Sequence, residues 1–127
     1  MVRKRAQKLG DLERAVLEVL WGLSPLQRAT VRDVHTALSA DRAIAYTTVM
    51  TVLERLARKD LVDQHRDGRA YSYRAAATRG EMTAEMMRAT LDDFGSGDSP
   101  AALVAFVEDA TAAEVAALRE ALARLGR

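Results

Sequence analysis

Thr48, Thr51, Arg55 and Arg58 recur at i, i+3, i+7 and i+10 within the stretch Tyr46-Thr47-Thr48-Val49-Met50-Thr51-Val52-Leu53-Glu54-Arg55-Leu56-Ala57-Arg58-Lys59. Val49, Val52, Leu53 and Leu56 fall on another side at helical spacing, so the segment predicts an amphipathic helix with one apolar and one hydroxyl-and-cation face. Threonine hydroxyls and methyls reach base edges, and guanidinium groups reach phosphates. That combination suits a helix lying in the major groove of duplex DNA. An ordinary solvated helix face has a similar composition, so the elements on either side must decide between the two.

After Lys59-Asp60 the period changes from helix to strand. Leu61 to Arg66 and Ala70 to Arg74 read as two short strands, with Asp67-Gly68 as the turn signal between them. Before the threonine-rich helix, Leu9, Leu12, Val16, Leu20 and Leu23 predict a first helix over roughly Leu9 to Gly22. Pro25 and its polar neighbours predict a turn. Thr30 with Asp33 three residues on predicts a capped second helix carrying Val31, Val34 and Leu38 on its buried stripe. Three helices and a hairpin, in that order, are a winged helix-turn-helix. The third helix is then the reader, and Arg66 and Arg69 belong to a wing that straddles phosphates.

Beyond Ala75 the chain is again helical. One helix is expected from Arg79 to Phe94, with Met82, Met86 and Ala89 on one side. Gly95 to Pro100 reads as a loop, and Ser99 is expected to cap a helix from Ala101 to Asp109. Thr111, with Glu114 at the third position, caps a last helix on which Val115, Leu118, Leu122 and Leu125 repeat at 3-4-3 spacing. About fifty residues of short helices bury little core alone. A second copy of the same segment is the simplest partner, and folding back onto the first domain as a lid is the alternative. The expected organisation is therefore residues 1–75 as the winged domain and 76–127 as a helical dimerisation region, a mainly α chain with a small β-hairpin.

Charge follows the same division. The chain has 127 residues and a net charge of +1, yet residues 1–75 carry +5 (14 Lys/Arg against 9 Asp/Glu) and residues 76–127 carry −4 (5 against 9). A basic front half facing a polyanion accounts for the asymmetry, and Arg3, Lys4 and Arg5 form a candidate arm. There is no cysteine, so disulfides and thiolate metal sites are excluded. No apolar run approaches a membrane span, and the basic N-terminus leads into no signal-like apolar stretch; a cytoplasmic protein is the plain reading. His35 and His65 lie in different elements and complete no metal site. Ser96 to Pro100 only faintly echoes a serine nucleophile sequence, and Gly22, Gly68 and Gly80 are isolated rather than gathered in a phosphate loop. Neither enzyme chemistry nor a cofactor is expected.

The motifs resemble the penicillinase-repressor family (BlaI/MecI type) over almost the whole chain. Leu9-Gly-Asp-Leu-Glu-Arg-Ala-Val-Leu-Glu-Val-Leu-Trp21 is similar to the family's first helix. Thr47 to Val62 is similar to its recognition helix, typically Thr-Val-x-Thr-Leu-Leu-x-Arg-Leu-x-Lys-Lys-Gly. Leu103-Val-Ala-Phe106-Val-Glu108 resembles the segment before the last helix. The resemblance implies a homodimeric transcriptional repressor on a palindromic operator of β-lactam-response genes. It implies a C-terminal dimer interface and relief of repression by a sensor-protease pathway that leads to cleavage there. The family's Asn-Phe bond aligns with Ala105-Phe106, where the phenylalanine is kept and the asparagine is not. Asp60 stands where glycine usually ends the reading helix, and Met50 replaces a frequent Arg or Lys. Together these readings nominate Thr47, Thr48, Met50, Thr51, Arg55, Arg58, Arg66 and Arg69 for DNA. They nominate Met82, Met86, Leu103, Phe106, Val115, Leu118, Leu122 and Leu125 for the dimer seam, and Ala105-Phe106 as the candidate cleavage site. A winged-helix regulator responding to a small ligand, or a protein-interaction module without a DNA role, would share much of this pattern.

Overall fold

The computed structural model describes residues 9–24, 26–94 and 97–126. The basic arm Arg3, Lys4 and Arg5, Pro25 of the expected turn, and Gly95-Ser96 of the expected loop lie outside them. Among the described residues the order is α1 (Asp11–Trp21), β1 (Ala29–Thr30), α2 (Val31–Ser39), α3 (Tyr46–Arg58), β2 (Val62–Asp67), β3 (Ala70–Ala75), α4 (Arg79–Phe94), α5 (Ser99–Glu108) and α6 (Ala112–Leu125). The chain forms two compact units, one running to Ala89 and the other from Thr90.

In the first unit α1, α2 and α3 pack on one another and on a three-stranded antiparallel sheet of order β1-β3-β2. The core gathers Val16, Leu17 and Leu20 of α1, Val34 and Leu38 of α2, and Val49, Val52, Leu53 and Leu56 of α3. Leu61, Val62 and Tyr73 close it from the sheet side. The helical stripes read from spacing thus face the core, with Leu12, Leu23 and Val31 half-buried at its edge. Leu17, which the α1 stripe omits, is fully buried as well, because a helix enclosed by two others and a sheet buries more than one narrow stripe. Thr30 caps α2 reciprocally with Asp33: the Asp33 N–H donates to Thr30 Oγ1 (3.1 Å) and the Thr30 N–H to Asp33 Oδ2 (2.9 Å).

Three local readings are corrected. The two-residue strand β1 is absent from the sequence reading; it forms because Ala29 and Thr30 pair with Tyr73 and Ser72, partners more than forty residues away. The hairpin turns one residue later than the Asp67-Gly68 signal. Asp67 pairs with Ala70, leaving Gly68-Arg69 as the two central residues. Gly68 alone takes positive φ (66°), the pattern of a type II′ turn with glycine at its first central position. In the second unit α5 begins at Ser99, so Asp98 rather than Ser99 stands at the N-cap, without a side-chain capping bond.

The end of α3 is a Schellman motif. Leu61 N–H donates to the Leu56 carbonyl (2.9 Å) and Asp60 N–H to that of Ala57 (3.1 Å). This geometry puts Asp60 at φ 62°, the one non-glycine residue at positive φ among the described residues. Leu56 and Leu61, which flank the turn, are both fully buried and hold the chain in it.

In the second unit Thr111 and Glu114 form the predicted reciprocal cap of α6, at 3.1 and 2.8 Å. Among its described residues no side chain is buried. Phe94, Leu103, Val104, Phe106, Leu122 and Leu125 are each at least half exposed.

Candidate nucleic-acid interface

Helix α3 buries one side, and at about 100° per residue the opposite side is fixed. Thr47, Thr51, Glu54 and Arg58 lie directly opposite the core; Thr48 and Arg55 form one flank, and Met50 and Tyr46 the other. All eight are exposed. The nominated reading residues Thr47, Thr48, Met50, Thr51, Arg55 and Arg58 therefore share one solvent face. Glu54, which the sequence reading passes over, stands at its centre. Thr51 Oγ1 donates its proton to the Thr47 carbonyl (3.0 Å), which leaves only its lone pairs for an outside partner.

Side-chain contacts hold this helix at both ends. At its N-terminal end His35 Nε2 donates to the Ile44 carbonyl (2.8 Å), tying α2 to the turn that delivers α3. The same ring meets Tyr46 edge-on at 5.7 Å. His35 thus braces the helix-turn-helix. At the C-terminal end Lys59 donates to Glu13 Oε2 (2.8 Å), while Glu13 Oε1 accepts from the Gly10 N–H (3.0 Å). Glu13 is 5% exposed. Burial pushes its carboxyl up, but hydrogen bonds from Lys59 and the Gly10 backbone, with the charges of Lys59 and Arg55, outweigh burial and hold it below the ordinary value. One carboxylate therefore links the start of α1 to the end of the reading helix. Against the sheet, Tyr73 is buried and its hydroxyl accepts from Gln64 Nε2 (2.9 Å). Burial raises its phenol above the usual range, a shift that the Gln64 bond partly offsets, so the group stays neutral.

On the wing, Arg66 and Arg69 are both exposed. Arg66 Nε donates to the Gly68 carbonyl (2.9 Å), and its guanidinium lies 5.8 Å from the ring centroid of Tyr71, its cross-strand neighbour. Nε and the ring restrain the guanidinium, whose terminal N–H groups make no hydrogen bond with another described residue. Tyr71 is a further wing residue missing from the sequence nomination. Its signal was present as an aromatic opposite an arginine in the paired strands.

The seam residues divide between the two units. Met82 is corrected: it is 1% exposed within the core of the first unit, with Met86 packed against that same core, so Met82 is a core residue rather than a free seam residue. The first compact unit accordingly continues beyond residue 75 into α4. Trp21 reinforces this continuation. Its Nε1 donates to the Ala77 carbonyl (2.9 Å), and its ring carries the Arg79 guanidinium at 5.2 Å, which also pairs with Glu18. Leu103, Phe106, Leu118, Leu122 and Leu125 are exposed on the second unit, with Val115 half-buried. Ala105 and Phe106 lie exposed within α5. Among the described residues no cluster of His, Asp or Glu is arranged to hold a metal ion, and no helix is long and apolar enough to cross a membrane.

Comparison with known proteins agrees with this geometry. The solution structure of the DNA binding domain of the repressor BlaI superposes with a TM-score of 0.52 at 25% identity, covering 64% of this chain and 93% of that one. A ferric uptake regulator from Pseudomonas aeruginosa gives a TM-score of 0.50 at 25% identity over 59% of this chain, which spans only 57% of that protein. The transcriptional regulator BlaI of Mycobacterium tuberculosis (strain CDC 1551 / Oshkosh) is 55% identical over 119 residues, 93% of this chain and 85% of that protein. Residues 9–124 match the penicillinase repressor family. With a winged helix-turn-helix whose α3 face and wing arginines are exposed, the chain belongs to the penicillinase repressor family, whose members are transcriptional regulators and not enzymes.

Proposed function

We propose that this chain acts in the cytoplasm as a homodimeric repressor, placing two copies of α3 in successive major grooves of a palindromic operator. The observation that carries the reading is the exposed face of Thr47, Thr48, Thr51, Arg55 and Arg58 on the same unit as the exposed wing arginines Arg66 and Arg69. The threonines read base edges, Met50 meets a thymine methyl, and the arginines hold phosphates. Two copies associate through α5 and α6, where Leu103, Phe106, Leu118, Leu122 and Leu125 are exposed. Repression follows from occupancy of a promoter. Family membership supports control of β-lactam-response genes and relief by cleavage in the second unit, with Ala105-Phe106 as the candidate bond. Because that bond lies inside α5, a protease must first unwind the helix around it.

A ligand-sensing regulator has less support. A groove of about 570 Å³ beside Trp21 contains Arg74 and Arg79, but Arg74 faces Asp63 (3.8 Å) and Arg79 pairs with Glu18, so its cations are already partnered. The decisive experiment is fluorescence anisotropy of the full chain on promoter DNA of its own and neighbouring genes, with a scrambled duplex and a salt series. Tight, salt-sensitive binding of two protomers to the promoter alone supports the proposal. Equal binding to both duplexes, or none at low salt, overturns it.

A further inference from the structure

Glu54 is the only acidic residue of α3, and its charge is near enough to the Tyr73 phenol to add to the effect of burial in raising it. Glu54 stands at the centre of the exposed α3 face, between Thr51 and Arg58, and the structure gives it neither a hydrogen bond nor an ion pair with another described residue. A carboxylate there is repelled by phosphate and by most base edges. Guanine offers N7 and O6, and thymine O4, all of them acceptors. In the major groove only the amino groups of cytosine (N4) and adenine (N6) can donate to it. Adenine sets the N7 acceptor beside its amino group, whereas the cytosine edge continues from N4 to a C–H. Cytosine is therefore the base a carboxylate tolerates best.

Two features of the face reinforce this. Thr51, one turn earlier, has spent its proton on the Thr47 carbonyl (3.0 Å), so it too presents only an acceptor. Thr47, Met50, Thr51 and Glu54 are spaced i, i+3, i+4, i+7, the spacing at which a homeodomain recognition helix reads the major groove. Resting on the DNA-binding reading above, we infer that Glu54 is a specificity-determining residue that accepts a hydrogen bond from cytosine N4 and selects a C·G pair at one position of each half-site.

The test is selection of binding sites from a randomised duplex pool by the full-length protein, Glu54→Gln and Glu54→Ala, each checked for an unchanged melting temperature. The wild type is expected to recover a motif with cytosine at one position per half-site. Glu54→Ala should lose preference at that position and keep the rest. Glu54→Gln should move it to adenine, whose N6 and N7 match a carboxamide. On isolated duplexes, changing that C·G pair to T·A should weaken the wild type roughly tenfold and leave Glu54→Ala unaffected. Identical motifs for all three proteins, with the variants simply binding every sequence more tightly, would overturn the assignment and leave Glu54 as a repulsive charge only. A wild type that recovers no motif overturns the DNA-binding reading itself, before the variants are compared.

Discussion

Thr48 and Thr51 differ in what they can offer a base. Thr51 has its proton committed to the backbone, while no such bond engages Thr48. Thr48 can thus donate as well as accept, and Thr48→Ala should lower operator affinity about tenfold in anisotropy titrations with no change in melting temperature, since the side chain is exposed. Arg66→Ala and Arg69→Ala should weaken binding to every sequence alike. Each should also reduce the slope of log affinity against log salt by about 0.9 if it holds one phosphate; an unchanged slope would remove that arginine from the interface. Glu13 acts on stability instead. Its carboxyl titrates below the ordinary 4.5, so its bonds to Lys59 and Gly10 stabilise the fold fully above that pH and are lost as pH falls through the depressed value. Denaturant titrations of Glu13→Gln should show a deficit of about 1–2 kcal/mol at neutral pH that shrinks below about pH 4.5. A deficit independent of pH would mean that packing, not charge, is what Glu13 supplies.

At the scale of elements, the end of α3 carries a cost that its packing overrides. Leu56 and Leu61 are buried on either side of the Schellman turn, so Asp60 is held at φ 62° although aspartate resists that conformation more than glycine does. Asp60→Gly should therefore raise stability by about 0.5–1 kcal/mol, a few degrees in melting temperature, with DNA affinity unchanged. A lower melting temperature would show that the aspartate side chain compensates locally. Most of the element plan was legible beforehand, because capping pairs such as Thr30-Asp33 and Thr111-Glu114 and the apolar stripes are local signals. β1 was not legible. Two residues carry no periodicity, and their strand exists only because the edge of β3 lies alongside them.

For the molecule as a whole, the two units differ in how well they satisfy themselves. The first encloses a core of fully buried Leu, Val, Tyr and Met side chains, whereas the second leaves Phe106, Leu122 and Leu125 in solvent. Exposed apolar surface of this kind calls for a partner, and in the proposed dimer a charge on it should be intolerable. Leu118→Glu combined with Leu122→Glu is expected to give monomers in sedimentation velocity. The winged unit should stay folded while operator affinity falls by two or more orders of magnitude, because two linked half-sites become one. A double variant that stays dimeric would exclude α6 as the seam.

The sequence by itself determined the helical stripes, two of the caps, the wing and the polar face of α3, because each rests on spacing within a single element. Its order of three helices and a hairpin nominated a winged fold, and the motifs at Leu9–Trp21, Thr47–Val62 and Leu103–Glu108 carried the resemblance to the family that the comparisons then showed. Only the tertiary structure decided which residues at correct spacing were core and which were free. Met82 and Met86 share one stripe with the α4 surface, yet Met82 is sealed into the first unit. Likewise, spacing already puts Glu54 on the polar face of α3, but only the structure shows that it makes no hydrogen bond or ion pair with another described residue. Burial depends on what the rest of the chain brings alongside, and no periodicity within one helix encodes that.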